Sequence, residues 1–404
     1  MNPPSPDSPG AVGPATGVYL DACATSPPAP EVLEAMDRAH REAWANPSSL
    51  HGFGLAAAER LERDRLAIAA RLGCGREELV LVSGGSEAIH TALIGCAGSL
   101  EPGRVLLSSV EHPASYAAAD AMVRRGWQRL LLPVDRRGVV NLEVLQELLR
   151  PPTRLVSMLW GQSEVGTLQP IVRIGELCRQ AGVLFHVDAV QVVGHQPIDF
   201  SRLPIDLLSC AAHKLQGPRG VGALLVRRGL RLEPLIGGVQ EGGRRGGTES
   251  VALVAGFAAA LELAWQRLAA HGGEDPMRSL RDRLLDELIQ LGGVRLSGPV
   301  PEDPCGRLPH HISLLVAGPQ GRSLPGRRLV RELARRGYAV SSGSACSSGG
   351  ATGASAVLLA MGYGPEAAAS GLRISLGPWI SPTELAGLPV ALAEASRSVA
   401  EAPG

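Results

Sequence analysis

The sequence predicts an α/β fold, with a large, mostly parallel sheet domain followed by a smaller α+β domain. Between about residues 79 and 226, short runs rich in Val and Leu alternate with amphipathic segments. The runs are continuously apolar, which implies burial on both faces and is typical of a parallel sheet covered by helices. The chain has 404 residues, 45% of them hydrophobic, which is enough for two domains.

The predicted elements follow one another in two patterns. In the first pattern, strands are predicted at 79–83, 104–108, 153–159 and 183–187, with helix candidates between them. After Gly247 the pattern changes, and the predicted elements are helices at 250–270 and 276–291, strands near 311–315 and 339–341, and a closing helix from Ser381. We therefore divide the chain into a disordered Pro-rich tail (1–17), a large domain (18–268) and a small domain (269–404).

Composition limits the function classes. Acidic and basic residues both total 39, so the formal net charge is zero and nothing indicates binding to nucleic acid or an anionic membrane. No apolar run reaches the roughly 20 residues that a membrane helix needs. The tail lacks the basic start and apolar centre of a secretory signal. A small-molecule partner is expected.

The 7 cysteines are odd in number and have no CxxC spacing, so neither a disulfide framework nor a metal site is expected. This favours a reducing cytoplasm as the location. Most of the cysteines lie in apolar runs and are interpreted as small buried hydrophobic residues. Cys346 differs, because it lies among Ser, Gly and Ala in a segment (about 341–352) that we expect to be a mobile loop. Such a loop could carry a nucleophilic thiolate in and out of a pocket.

Two short motifs follow predicted strands. Gly85 and Ser86 lie in a glycine turn that opens a helix, where free amides and a hydroxyl suit a phosphate, although such a turn can also be a plain connection. Asp188 stands just past an apolar strand, where parallel sheets collect their ligands. A carboxylate there could face a protonated pyridine nitrogen, or it could cap the next helix.

Two basic residues stand in apolar surroundings. Lys214 follows a buried strand and precedes a Gly/Pro turn, where a desolvated amine could form a Schiff base. Arg373 lies within an apolar strand pattern and needs an anionic partner. That partner could be an amino-acid carboxylate bound by both guanidinium nitrogens, or an internal acid.

Taken together, these motifs resemble one family. From residue 19 to the C-terminal helix the chain is similar to the aminotransferase class V group of fold type I pyridoxal-phosphate enzymes, and more closely to class I cysteine desulfurases of the NifS/IscS type. The marks of this resemblance are Asn-Pro-Ser-Ser at 46–49, Glu-His at 111–112, His-Val-Asp-Ala-Val-Gln at 186–191, His-Lys at 213–214, Arg-Gly-Gly-Thr at 245–248, Ser-Ser-Gly-Ser-Ala-Cys at 341–346 and Leu-Arg-Ile-Ser-Leu-Gly at 372–377. The resemblance implies a seven-stranded sheet in the large domain.

The resemblance also implies a site for pyridoxal 5'-phosphate. Lys214 would hold the cofactor as a Schiff base, and Asp188 would pair with the pyridine nitrogen. The other implied contacts are Gln191 and the residue at Ser163 beside the ring's phenolic oxygen, His112 on the ring face, and Gly85, Ser86 and His213 at the phosphate. Thr248 would reach the phosphate from a second subunit, which implies a homodimer.

The implied reaction converts L-cysteine to L-alanine. Arg373, assisted by Asn46, would hold the carboxylate, Lys214 would remove the Cα proton, and His112 would manage thiol or ring protons. Cys346 would take the sulfur as a persulfide and pass it to an acceptor such as an iron–sulfur scaffold protein, or into tRNA thiolation. Selenocysteine lyase chemistry, another β-elimination, and a degenerate binding partner in sulfur-transfer complexes are the alternatives.

The sequence departs from the family pattern at two cofactor contacts. Ser163 stands where the family's Asn-Asn-Glu segment has its second asparagine, and Ala211 replaces the serine of the Ser-x-His-Lys motif. A hydrogen bond to a charged group contributes about 1.5 to 3 kcal/mol, so we expect a weaker hold on the cofactor than is usual in the family.

Overall fold

The structure is a computed structural model that describes residues 17–343 and 353–401. Its strands are β1 Val18–Tyr19, β2 Leu79–Val82, β3 Arg104–Ser108, β4 Gln128–Leu132, β5 Thr153–Leu159, β6 Leu184–Asp188, β7 Leu207–Ala211, β8 Gly222–Val226, β9 Val294–Leu296, β10 His311–Val316, β11 Tyr338–Ala339 and β12 Gly371–Ser375. Its α-helices are α1 Pro30–Glu42, α2 Gly52–Leu72, α3 Gly85–Ser99, α4 Pro113–Val123, α5 Leu142–Leu148, α6 Ile171–Ala181, α7 Val251–Ala270, α8 Met277–Ile289, α9 Gly326–Arg335, α10 Ala356–Ala360, α11 Pro365–Ala369, α12 Pro382–Leu385 and α13 Leu388–Glu401.

A seven-stranded sheet forms the centre of the large domain, in the order β2-β8-β7-β6-β5-β3-β4. Its strands run parallel except β8, which is antiparallel to both neighbours. Helices cover both faces of the sheet, and each face has its own apolar core. The predicted fold class is confirmed. The strand β4 was not predicted, because this edge strand has mostly exposed or part-exposed side chains and its apolar run is only three leucines long.

The helix α7 lies at the centre of one of these cores. It is long and apolar enough to meet the length and composition criteria for a membrane span. However, 61% of its most apolar stretch is buried inside the protein, where Val254, Phe257 and Leu261 belong to the same core as residues of α1 and α2. Its apolar side chains are therefore accounted for by packing within the domain.

The small domain combines an antiparallel sheet, β12-β10-β9, with the parallel pair β1–β11. Leu20 belongs to the core of this unit together with Leu280 and Leu284 of α8. Residues 18–20 therefore pack with the small domain, although the predicted boundary assigns them to the large one. The reason is a long-range pairing that chain order does not indicate.

The closing helix predicted from Ser381 consists of two helices, α12 and α13. The interruption falls at Gly387, where a Cβ atom would lie only 2.6 Å from the Tyr338 hydroxyl. Gly387 therefore lies against the end of the Tyr338 side chain of β11.

The parallel strands end at one edge of the large sheet, and the predicted site residues follow those ends. Gly85 follows β2, His112 follows β3, and Lys214 follows β7, while Asp188 is the last residue of β6. In open parallel sheets this edge is where ligands bind.

Candidate active site

A cavity of about 340 Å³ lies at this edge, between the large and small domains. Its walls are formed by the strand ends, by the segment after β1, and by β12 of the small domain. The lining residues are Cys23, Ala24, Gly85, Ser86, Ile89, Glu111, His112, Pro113, Leu159, Gly161, Gln162, Ser163, Glu164, Asp188, Val190, Gln191, His213, Lys214, Gly343 and Arg373. Most of the site residues predicted from the sequence are thus brought together.

One wall is the turn that opens α3. Gly84 has φ 154°, which favours glycine, and a Cβ at Gly85 would lie 2.8 Å from Val190 Cγ2. The first amides of α3 have no acceptor within the helix. With the Ser86 hydroxyl beside them, these amides form a place for an anionic group.

Asp188 is a buried acid on the cavity wall. Its Oδ1 accepts a hydrogen bond from Val190 N at 3.0 Å. Burial raises the pKa of Asp188, although His112 and Lys214 nearby counteract this. Among residues 17–343 and 353–401 it forms no ion pair. Its carboxylate lines the cavity and is suited to a cationic ring nitrogen.

Lys214 is the one lysine in the sequence. Apart from the histidines, all other basic side chains are arginines. Its Nζ donates to two carbonyl oxygens, Cys23 O at 2.5 Å and Ala24 O at 2.7 Å. Burial lowers its pKa, and the nearby Arg373 acts in the same direction. A buried amine whose pKa is lowered can supply the neutral form that attacks a carbonyl.

His112 caps α4, and its Nδ1 accepts a hydrogen bond from Ala114 N at 3.1 Å. Burial lowers its pKa, so the ring is neutral near pH 7 and carries its single proton on Nε2. The preceding Glu111 is fixed by Ser108 Oγ at 2.5 Å and by Leu159 N. Burial raises the pKa of Glu111 to about 8, so it adds little charge to the cavity.

His213 lies next to Lys214 in the turn after β7. Its Nδ1 is 3.1 Å from Thr25 Oγ1, and burial lowers its pKa to about 4. The ring is therefore neutral near pH 7 and can donate one hydrogen bond to an anion. Ala211, at the end of β7, is buried and supplies no hydroxyl group.

Arg373 reaches the cavity from β12. Its NH2 pairs with Asp21 Oδ1 at 2.7 Å, and its NH1 donates to Ser163 O at 3.1 Å. The internal acid that we considered as one partner of Arg373 is therefore present. Its buried Nε has no hydrogen-bond partner among the described residues. NH1 and NH2 each use one N–H in these contacts and keep a second one, which can donate to a substrate carboxylate.

Two further predicted contacts lie on the wall near the N-terminal segment. Gln191 donates from Nε2 to Cys23 O at 3.0 Å and retains a second N–H on the same nitrogen. Ser163 lines the cavity, and its carbonyl oxygen accepts from His311 Nε2 at 3.0 Å as well as from Arg373. The backbone of Ser163 is therefore well fixed, whatever its side chain contributes.

The structure does not bring every predicted residue to the cavity. Asn46 is exposed, and its Oδ1 accepts from Ser48 N at 2.8 Å within its own turn. Thr248 is exposed and lies outside the cavity of its own chain, so its predicted role in a second subunit stays a prediction. Cys346 lies outside the described residues, which stop at 343 and resume at 353.

Glu164 lies close to Gly343, the last described residue before the Cys346 segment, and to Ser355, which follows that segment. A Cβ on Gly343 would be 3.0 Å from Glu164 Oε2, and Ser355 Oγ donates to the same oxygen at 2.6 Å. Glu164 and Gly343 both line the cavity.

The sequence reasoning missed one residue of this site, and it missed one simple signal for a residue that it did predict. Cys23 was interpreted as one more buried hydrophobic residue, yet it lines the cavity and its carbonyl holds Lys214. A count of lysines would have singled out Lys214 without any motif. No group of three or more His, Cys, Asp or Glu that could hold a metal occurs among the described residues.

Comparison with known proteins identifies the class. Residues 18–387 match the family model of aminotransferase class-V. The chain therefore belongs to the aminotransferase class-V family.

The relatives narrow this assignment. The chain is 37% identical over 372 residues to the cysteine desulfurase IscS of Dictyoglomus turgidum, covering 91% of each chain, and 40% identical over 374 residues to a cysteine desulfurase of Cereibacter sphaeroides, covering 91% and 92%. A solved NifS-like protein superimposes with a TM-score of 0.84 at 32% identity, over 95% of this chain and 99% of that one. Within the family, the chain belongs with the cysteine desulfurases of the IscS and NifS type.

Enzymes of this family use pyridoxal phosphate, and the residues present fit that group. The unpaired Asp188 carboxylate suits its ring nitrogen, and the free amides at the start of α3 suit its phosphate. Lys214 would hold it covalently. Gln191, His112 and His213 would provide the remaining contacts of this chain.

Proposed function

We propose that this chain is a pyridoxal-phosphate-dependent cysteine desulfurase that converts L-cysteine to L-alanine and takes the sulfur onto Cys346. One observation carries the proposal: a single cavity gathers the only lysine of the chain with Asp188 and Arg373. Gly343, the last described residue before the Cys346 segment, lies on the wall of the same cavity.

Each residue has a task that follows from its surroundings. Bound pyridoxal phosphate supplies an electron sink for the negative charge that develops at the substrate Cα. Lys214 Nζ takes the Cα proton, which its lowered pKa allows. Arg373 holds the carboxylate of L-cysteine, partly at the expense of its ion pair with Asp21. His112 exchanges the proton of its Nε2 with the sulfur or with the product.

The sulfur transfer balances without an external oxidant. A bond forms between Cys346 Sγ and the sulfur of L-cysteine, and the bond between that sulfur and the substrate Cβ breaks. The Cβ carbon keeps the bonding electron pair and takes a proton, so the products are L-alanine and a Cys346 persulfide. A plain β-elimination or lyase reaction needs no protein thiol, so Cys346 favours the desulfurase over that alternative.

The direct test uses purified protein with added pyridoxal phosphate and L-cysteine. We expect one L-alanine for each sulfide released by a reductant, and borohydride should fix the cofactor mass on the peptide that contains Lys214. A protein that binds the cofactor but forms no L-alanine would instead support the degenerate binding partner. Selenocysteine, supplied as a parallel substrate, shows by its relative kcat/KM which of the two amino acids is preferred.

We also propose a homodimer in which Thr248 completes the phosphate site of the partner. Several large apolar side chains are exposed in the single chain, including Trp44, Leu50, Phe53 and Val239. The loop before Thr248 is held in place, because Glu241 forms a buried ion pair with Arg65. An exposed Thr248 on an anchored loop suits a contact across an interface.

Co-expression of two defective variants tests this arrangement. Thr248→Ala should weaken cofactor binding about tenfold, the loss expected for one charged hydrogen bond. Lys214→Ala is inactive by itself but retains Thr248. If Thr248 acts across the interface, mixed dimers of the two variants contain one intact site. They should then be active at a low pyridoxal-phosphate concentration that leaves the Thr248→Ala protein mostly without cofactor. A mixture as inactive as its components, or a monomer mass by light scattering, would contradict the proposal.

The fate of the sulfur and the location of the protein are further proposals. We propose an acceptor protein such as an iron–sulfur scaffold, with tRNA thiolation as the alternative, and a cytoplasmic location based on the cysteine content. Radiolabelled sulfur from L-cysteine, followed into protein and RNA fractions, distinguishes the acceptors. Cell fractionation tests the location.

A further inference from the structure

A line of four buried polar side chains leads away from the cavity, and the reaction described above does not use it. Cys23 lies on the cavity wall, and its Sγ is 3.4 Å from His310 Nε2. The His310 ring stacks on His195, with 3.7 Å between ring centroids and 15° between the planes. His195 Nδ1 lies 2.7 Å from Asp275 Oδ2.

The four residues come from four distant parts of the chain. Cys23 follows β1, His195 follows β6, Asp275 lies between α7 and α8, and His310 precedes β10. The line therefore joins the N-terminal segment to both domains. Such long-range contacts fix the relative positions of loop segments that no shared helix or sheet holds together.

The charge on this line is concentrated at its far end. Burial acts to raise the pKa of Asp275, but His195 and Arg267 hold it below its ordinary value, so Asp275 is ionised. Burial, together with His195, lowers the pKa of His310 well below its ordinary value, so that ring is neutral. The anchored carboxylate orients His195, and the stacked His195 ring orients His310.

Cys23 itself is a poor nucleophile. Burial raises the pKa of its thiol, despite the nearby Arg373 and Lys214, so the group remains protonated. A protonated thiol can donate its hydrogen to the neutral Nε2 of His310. The side chain is thus a tether rather than a reacting group.

The backbone of Cys23 connects the contact with His310 to the reacting amine of Lys214. Cys23 N donates to Ser375 Oγ at 2.9 Å. Cys23 O accepts from Lys214 Nζ at 2.5 Å and from Gln191 Nε2 at 3.0 Å. The second acceptor of Lys214, Ala24 O, is on the next residue. The amine is therefore held by one short segment, which is fixed by Ser375 and by His310.

We propose that Cys23 and His310 are positioning residues for Lys214: their contact, held by His195 and Asp275, places the carbonyl groups that orient the amine. The inference rests on the proposed function only in taking Lys214 as the reacting amine. In this proposal Cys23 acts on the reacting nitrogen through its backbone carbonyl. His310 and His195 act on Cys23 and need not contact the substrate.

The pKa of Lys214 depends on how these two carbonyl groups are placed, so it can be used to measure their positioning. The two carbonyl oxygens favour the ammonium form, because they accept hydrogen bonds from it. The titratable and charged groups that face Lys214 are Cys23, Arg373, Asp21, Asp188, His112 and His213. His310→Ala removes none of them, so a changed pKa of Lys214 in this variant reports the Cys23 carbonyl. Loosening the Cys23 carbonyl should therefore lower the pKa of Lys214.

The single lysine allows a clean measurement on protein freed of cofactor. Acetylation by acetic anhydride is followed over a pH series by mass spectrometry of the Lys214 peptide, with the chain's α-amino group as an internal reference. We expect Cys23→Ala and His310→Ala to lower the midpoint of Lys214 labelling by about one pH unit, which is about tenfold faster labelling below the midpoint. The conservative variants Cys23→Ser and His310→Gln, which keep a polar atom in place, should stay close to the original protein.

Cys178→Ala is the matched control, because Cys178 is as deeply buried as Cys23 but lies on α6, away from the cavity. An unchanged midpoint in both alanine variants would overturn the proposal, and so would an equal shift in Cys178→Ala. The labelling needs neither cofactor nor L-cysteine. A protein that shows the shifts but forms no L-alanine would therefore refute the proposed function and leave this inference intact.

Discussion

Replacing Lys214 by alanine is expected to lower the rate of L-alanine formation by at least about a thousandfold, since a general base alone contributes roughly a hundredfold to ten-thousandfold. The variant loses the amine that binds the cofactor covalently and the base that takes the Cα proton. The loss should persist at every pH, because no other lysine exists to replace it. Initial rates of L-alanine formation with saturating pyridoxal phosphate measure the effect.

Lys214→Arg separates charge from reactivity. Arginine keeps a cation in the cavity but does not lose its proton at accessible pH, so this variant should be as inactive as Lys214→Ala. Borohydride should leave no cofactor on either variant, whereas the original protein should carry it at one position. Activity within tenfold of the original in either variant would show that Lys214 is not the reacting amine.

The sequence was most informative where a local pattern has one physical cause. The apolar runs at 104–108 and 153–159 coincide with β3 and β5, because burial on both faces requires continuous apolar strands. The residues at the strand ends could be placed together for a similar reason. In a parallel sheet, Asp188 at the end of β6 and Lys214 after β7 must meet at the same edge.

Features that depend on distant parts of the chain were not predictable in this way. The pairing of β1 with β11 joins residues more than three hundred positions apart and moves residues 18–20 into the small domain. The partner of Arg373 was left open, and the structure provides Asp21. The contact between Cys23 and His310 had no local signal, because each residue alone looks like an ordinary buried side chain.

Two predicted residues do not reach the cavity, and one of them requires a second chain. Asn46 and Thr248 are both exposed, and neither lines the cavity of its own subunit. Thr248 was predicted to act in a second subunit, so its role can be assigned only in an assembly, which is why the mixed-dimer experiment uses it. Asn46 was predicted beside Arg373, and the structure places it in its own turn instead.

Cys346→Ala is expected to remove sulfur transfer while leaving the cofactor site intact. The rate of L-alanine formation should fall at least about a hundredfold, because removing a nucleophile that acts in the chemical step raises the barrier directly. Binding of pyridoxal phosphate should not change, since its proposed contacts are Lys214, Asp188 and the start of α3. The measurements are L-alanine formation and the absorbance of the bound cofactor, compared in the same preparation.

The persulfide provides the sharper readout. After turnover and alkylation, the peptide that contains Cys346 should carry one additional sulfur atom in the original protein, and no peptide should carry it in the variant. Cys305→Ala is the matched control, because Cys305 is a partly exposed thiol of the small domain that does not line the cavity. Cys346→Ala with undiminished sulfide release would refute transfer through this thiol. The cavity around Lys214 would then have to perform an elimination, for which Arg373 and Lys214 suffice without any nucleophilic cysteine.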